Sequence, residues 1–190
     1  PAVGRSKRNY SGLDASYTTR GDHRLFGYLL NQSDDTTVSL PGQGLRYDST
    51  YTAVGAEGPL ARDYGYYVET ILEGGESATF GSATARSGIS AYAAQAEAIW
   101  RPDRRHHPTV SLAYFLGSGD ADRGSVLTSA AGNGAGTQDN AFVSFGRFEG
   151  GLALSPRLSN LSTMRLATTY KLLESPTEHE LLELGAYFFL

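Results

Sequence analysis

Two neighbouring stretches decide how the chain reads. Residues 89–100 run Ile-Ser-Ala-Tyr-Ala-Ala-Gln-Ala-Glu-Ala-Ile-Trp, and residues 109–116 run Thr-Val-Ser-Leu-Ala-Tyr-Phe-Leu. In the first, Tyr92, Ala94, Ala96, Ala98 and Trp100 share one parity, with Gln95 and Glu97 on the other. In the second, Val110, Leu112, Tyr114 and Leu116 stand against Thr109, Ser111 and Ala113. Side chains alternate across a strand with period two, so each stretch is a strand with one apolar face. The eight residues between them carry Pro102 and Pro108 and suit a short turn joining antiparallel partners.

Working outward, the same period recurs in six further places. The expected strands are 10–17, 23–31, 45–56, 63–73, 163–172 and 182–190. Helical periodicity is scarce, and Gly recurs every few residues. The expected connections alternate in length. Those at 18–22, 57–62, 101–108 and 173–180 are short; those at 32–44, 74–88 and 117–162 are long. Period two alone also fits a soluble sandwich or barrel. Alternating short and long connections favour an all-β, antiparallel up-and-down transmembrane β-barrel, with short turns on one side of the membrane and long loops on the other. Tyr10, Tyr17, Tyr64, Trp100, Tyr114, Tyr170 and Phe188 lie near strand ends, where interfacial aromatic girdles are built.

The composition agrees with that class and excludes others. The 190 residues are 40% apolar and 19% charged, with 23 Gly, 12 Tyr and no Cys. Aromatic residues throughout the chain exclude disorder, and the absence of Cys excludes a disulfide scaffold or thiolate metal site. A net charge of −4 gives no footprint for nucleic acid. Mean hydropathy is −0.31 and no apolar run is long enough for a spanning helix, a limit that barrels escape because their strands alternate. No Met and no apolar leader open the chain, so a mature form or an internal piece is expected.

The region 88–174 resembles the alginate export family of outer-membrane β-barrels. The resemblance rests on Ala91–Ala93, on Pro108–Tyr114 running into Ser118–Asp120, and on Asn160–Leu161 entering the next strand. It implies an eighteen-stranded barrel of the bacterial outer membrane that passes an anionic polysaccharide. Residues 1–190 would then be a single barrel domain or the C-terminal segment of one, with 117–162 as a long extracellular loop. Its apolar Phe142, Val143, Phe145, Phe148, Leu152 and Leu154 leave three placements open: folded inward, packed as a lid, or added to a strand.

Strand parity sets the expected faces. Tyr64, Tyr66, Val68, Leu112, Tyr114, Leu166, Leu172, Leu184 and Phe188 are expected to face lipid. Arg46, Arg165, Lys171, Glu69 and Glu97 are expected in the lumen as candidate solute contacts. There the cations either guide an anion or pair with Asp48, Glu69, Glu97 or Glu183 and brace the wall. Arg104, Arg105, His106 and His107 form a basic turn, which is either solvated or in contact with an anionic partner. Asp120 and Asp122 have the spacing of part of a calcium loop but lack its later Glu. No nucleophile and base pair is placed by parity, and none of the usual hydrolase, nucleotide or zinc motifs occurs, so no enzyme and no cofactor is expected. The expected function is passive passage of a hydrophilic solute, an anionic polysaccharide on the strength of the resemblance. The alternative is a non-conducting barrel that anchors an envelope assembly, with envelope proteins as partners. Outer-membrane lipid is the expected surrounding in either case. Lumen width separates the two readings, since few strands leave a filled interior and many leave a channel.

Overall fold

The computed structural model describes residues 7–35, 46–82, 84–103, 107–123, 132–145, 159–171 and 181–189. At 171, 181–183, 185, 187 and 189 the backbone alone is described. Eight strands follow one another: β1 (Arg8–Thr18), β2 (Arg24–Asp34), β3 (Tyr47–Ala61), β4 (Tyr64–Ala78), β5 (Arg86–Trp100), β6 (Thr109–Gly117), β7 (Leu161–Lys171) and β8 (Leu181–Phe189). They pair in chain order as one antiparallel sheet. No helix occurs among the described residues. Among the described residues β1 and β8 each pair on one side only and not with each other, so the sheet is an open wall, compatible with a barrel but not closed into one.

Two expected connections need correction. Gly58-Pro59 and Gly74-Gly75 read as turns, yet both lie inside strands. β3 continues to Ala61, with a register shift between Pro59 and Ala61, and its turn to β4 is only Arg62 and Asp63. A bulge near the end of a strand accommodates a proline that cannot donate to the ladder. β4 and β5 run on as a hairpin to Ala78 and Arg86, so their connection is 79–85, comparable with the supposedly short 101–108. The alternation is therefore one of how far hairpins protrude as much as of loop length.

The two faces differ sharply. One, here called inner, carries the segment 132–145 against it. The buried Tyr47, Tyr51, Ile89, Ala91, Ala93, Ala113, Phe115 and Phe142 cluster there. The outer face carries Leu13, Tyr17, Leu25, Leu29, Val54, Tyr64, Val68, Leu72, Tyr92, Leu112, Tyr114, Leu166, Tyr170, Leu184 and Phe188, all exposed. The expected lipid-facing set thus lies bare, apart from Tyr66, which is half-buried, and Leu172, which lies outside the described residues. Tyr64 pairs directly with Trp100 near the short-turn end, and Tyr17 and Tyr170 stand at the same end of their strands. Tyr92 marks the other end of the apolar band. At ~3.3 Å per residue, Tyr92 to Trp100 is roughly 26 Å of strand. Beyond Tyr92 the outer face turns polar, with Asp48, Glu76 and Arg86 in contact.

β3 reverses the expected use of its faces, in register with β2. Their aromatic residues Phe26, Tyr28, Tyr47 and Tyr51 turn inward, and β3 shows Thr52 and Val54 outward. Both faces of β3 have apolar members, so alternation alone does not say which one meets the segment. Asp48, expected in the lumen, accordingly lies on the outer side.

Gly75 holds φ +146, and a Cβ there would collide with the Asp48 carbonyl oxygen and crowd Ser49 Cα at 2.9 Å. Both neighbours are backbone and cannot move aside. Gly75→Ala should therefore destabilise the hairpin by about 1–3 kcal/mol. A denaturant midpoint unchanged from that of the parent protein would refute this account of the β3–β4 register.

Candidate functional site

The register assembles a line of charges that no single strand reveals. Across the inner face one row runs Thr18, Arg24, Glu57, Tyr67, Glu97, Ala113, Arg165. Arg24 Nη1 donates to Glu57 Oε1 at 3.0 Å, between directly opposed residues. Arg165 Nη2 reaches over the small Ala113 to Glu97 Oε1 at 3.1 Å. Both arginines also lie over rings, Arg24 at 5.4 Å from Phe26 and Arg165 at 5.6 Å from Phe115. The adjacent row is Ser16, Phe26, Gly55, Glu69, Gln95, Phe115. Phe26 stacks at a tilt on Tyr67, with centroids 5.7 Å apart. Its ring fills the space a side chain at Gly55 would need. This half of the inner face, nearest the short turns, is a half-exposed strip of carboxylates, arginines and aromatic rings.

The other half is covered. Phe142 and Phe145 pack edge-on against Tyr51, and Phe145 also against Tyr10. Glu73 and Asp139, both buried, take backbone N–H groups of the segment: Val143 N donates to Glu73 Oε2 at 2.8 Å and Ala141 N to Asp139 Oδ1 at 3.2 Å. Of the three placements open to the long loop, the described part is folded inward.

The expected site residues separate. Glu69, Glu97 and Arg165 lie on the inner face, and Arg165 and Glu97 form the bracing pair. Arg46 is corrected. It stands at the rim, donating from Nε to the Asp34 carbonyl at 2.8 Å and lying 3.7 Å from Asp35 and 3.6 Å from Asp48. The parity of β3 puts it on the outer face, opposite the one expected. At the same rim, burial raises the Asp48 carboxyl, but the Asp34 N–H, Arg86 and Arg46 outweigh it and hold that carboxyl below its usual value. Lys171 ends β7, and its side chain lies outside the described residues, as do the side chain of Glu183 and the whole of Arg104, Arg105, His106, Phe148, Leu152 and Leu154. His107 is exposed. Asp120 uses both oxygens on backbone, accepting from Asp122 N at 2.7 Å and Asn140 N at 2.6 Å, so it shapes the loop. Among the described residues no three His, Asp or Glu gather as metal ligands.

Sequence reading missed Arg24, Glu57, Glu73 and Asp139. The first two fell at a supposed strand end and turn. Glu73 gains its meaning only from the distant segment 132–145, to which Asp139 belongs and which Phe142, Val143 and Phe145 signal in advance. Comparison with protein-family models and with curated proteins finds no match.

Arg165 and Glu97 are mostly shielded from solvent, at 26% and 15% side-chain exposure. Arg165→Ala should therefore cost about 1–3 kcal/mol by leaving Glu97 unpaired. The double variant with Glu97→Ala should recover part of that loss. Additive costs in the double-mutant cycle, read by denaturant unfolding, would show that the pair does not brace the wall.

Proposed function

We propose that the chain forms part of the wall of a bacterial outer-membrane β-barrel, whose inner face passes hydrophilic solutes passively. One observation carries this: a continuous apolar outer band, rimmed by Tyr17, Tyr64, Trp100 and Tyr170, backs an inner strip built of charge and aromatic rings. A soluble fold has no reason to leave so many large apolar side chains bare on one sheet face. In lipid every strand edge must be paired, so in this reading β1 and β8 join further strands of the same barrel.

The charges bear on the solute. Four arginines on the inner side have a carboxylate partner: Arg8 with Asp34, Arg24 with Glu57, Arg123 with Asp139, and Arg165 with Glu97; Arg101, just past β5, lines the same cavity as Arg24, Glu57 and Glu97 and has no carboxylate partner among the described residues. Glu69 has no cationic partner among the described residues. The local balance is thus neutral to acidic, which opposes a polyanion. A saccharide as solute class rests on the resemblance of 88–174 to alginate exporters alone, and this balance favours a neutral one. The anchor reading keeps one observation of its own, the filled half of the inner face.

The intact protein in planar bilayers tests the proposal. A salt gradient should give a reversal potential showing cation preference, and Glu69→Gln should reduce that preference while the barrel still folds. Anion preference in the parent protein would contradict the charge argument and restore the polyanion. No conductance at all would favour the anchor.

A further inference from the structure

The segment 132–145 is attached to the inner face more firmly than a surface loop needs. At one end, Phe80 N donates to the Asn133 carbonyl at 2.7 Å, and Ser87 Oγ to the Gly134 carbonyl at 3.2 Å. In the middle, Asp139 is held on both sides of its backbone by β5: its N–H donates to Gly88 O at 2.8 Å, and its carbonyl accepts from Ser90 N at 2.9 Å. Its buried carboxylate accepts from Ser77 Oγ at 3.1 Å and Arg123 Nη1 at 3.4 Å. Phe142 N then donates to Ser118 O, just past β6, at 3.0 Å. Beyond it Tyr51 Oη donates to Val143 O at 2.8 Å, while the Glu73 carboxylate accepts from both Val143 N and Tyr47 Oη. Phe145 closes the span against Tyr10 of β1, at 5.4 Å between ring centroids.

The path from Ser118 to Tyr10 crosses the inner face from the end of β6 to β1. A chain lying across that width obstructs whatever passes along it. Its bonds to the wall are of a kind that holds. Buried carboxyl oxygens here accept backbone N–H groups, and an unmade partner is costly away from water. Glu73 has no cationic partner among the described residues. Its acceptor capacity goes to the segment and to Tyr47, and it sits on β4 beneath the crossing point. A wall needing only stability would gain more from an apolar residue there.

We propose that residues 132–145 are the fixed constriction of the passage, and that Glu73 is the anchor that keeps the crossing strand of this segment on the wall. The inference rests on the channel reading, but its first consequence is read without transport. Ala141 is buried at 1% exposure, and the chain has no other thiol to confuse labelling, so Ala141→Cys reports release of the segment.

In the intact protein refolded into lipid vesicles, the single thiol of A141C, in an otherwise unchanged background, should resist a water-soluble maleimide. Adding E73A should speed labelling about tenfold or more, as expected when a buried hydrogen-bonding anchor is removed and local opening is eased. E73Q keeps an oxygen for Val143 N and should stay protected. Where E73A fails to fold, F142A/F145A removes the aromatic seat without touching a strand and should also expose the introduced thiol. In bilayers, the releasing variants should conduct more per channel than the parent protein. Release without a change in conductance would overturn the constriction, and continued protection in both variants would overturn the anchor. A parent protein that conducts nothing refutes the open-channel reading. If E73A then conducts, the segment is a complete plug and its anchoring role stands; if neither conducts, both ideas fall.

Discussion

The antiparallel register of β3, β4 and β5 is the constraint on which the rest of the structure depends. Side chains alternate with period two, so a slip of one residue in any of these strands would exchange its faces. In the observed register Tyr51, Glu73 and Ala91 stand in one row under the segment 132–145, while Thr52, Leu72 and Tyr92 stand together outside. The same pairing brings Glu57, Tyr67 and Glu97 into line between Arg24 and Arg165. Three features follow from one alignment: the apolar band, the charged strip and the seat of the inward segment. Gly75, with backbone close above it, and the bulge at Pro59 fix that alignment at its two ends.

The strands themselves were plain in the sequence because alternation survives wherever one face is apolar. β5 and β6 fall close to where residues 89–100 and 109–116 put them, and their faces are as the parity of Tyr92 and Leu112 required. β3 shows where the signal ends. Tyr47, Tyr51 and Ala53 alternate as well as any lipid-facing set, yet all three are buried, and Tyr51 meets Phe142 and Phe145 from far away in the chain. No local pattern carries that contact. Gly58-Pro59 and Gly74-Gly75 misled for a related reason: in an ordinary loop they punctuate the chain, whereas in long protruding hairpins they serve a bulge and a close backbone approach. Of the charged site, Arg165 and Glu97 were recoverable from parity, but their union over Ala113 depends on a residue small enough to reach across. Arg46 was lost to the inverted face of β3.

The inner face is divided between two tasks. Near the protruding hairpins it is closed by aromatic packing and buried carboxylates, much as a protein core is. Near the short turns it stays open, and its charges are largely neutralised in pairs, with rings between them. A wall of this kind suits weak contact with a polar solute, since paired charges and aromatic faces hold nothing tightly. It suits a polyanion poorly, because four of its described arginines already have a carboxylate and Glu69 and Glu73 add further acid. The outer face carries the opposite message, with leucine, valine, alanine and tyrosine bare over the height of a thin hydrocarbon layer.

That the outer band meets lipid is the central claim, and its most direct test uses the absence of native cysteine. Single cysteines placed in turn at 110 through 116 along β6, each carrying a fluorescent label, can be read in vesicles against a lipid-phase quencher and a water-soluble one. The account predicts strong lipid-phase quenching at 110, 112, 114 and 116 and little at 111, 113 and 115. Equal access of the water-soluble quencher to 112 and 114, with no period of two, would contradict it and make the sheet the wall of a soluble protein.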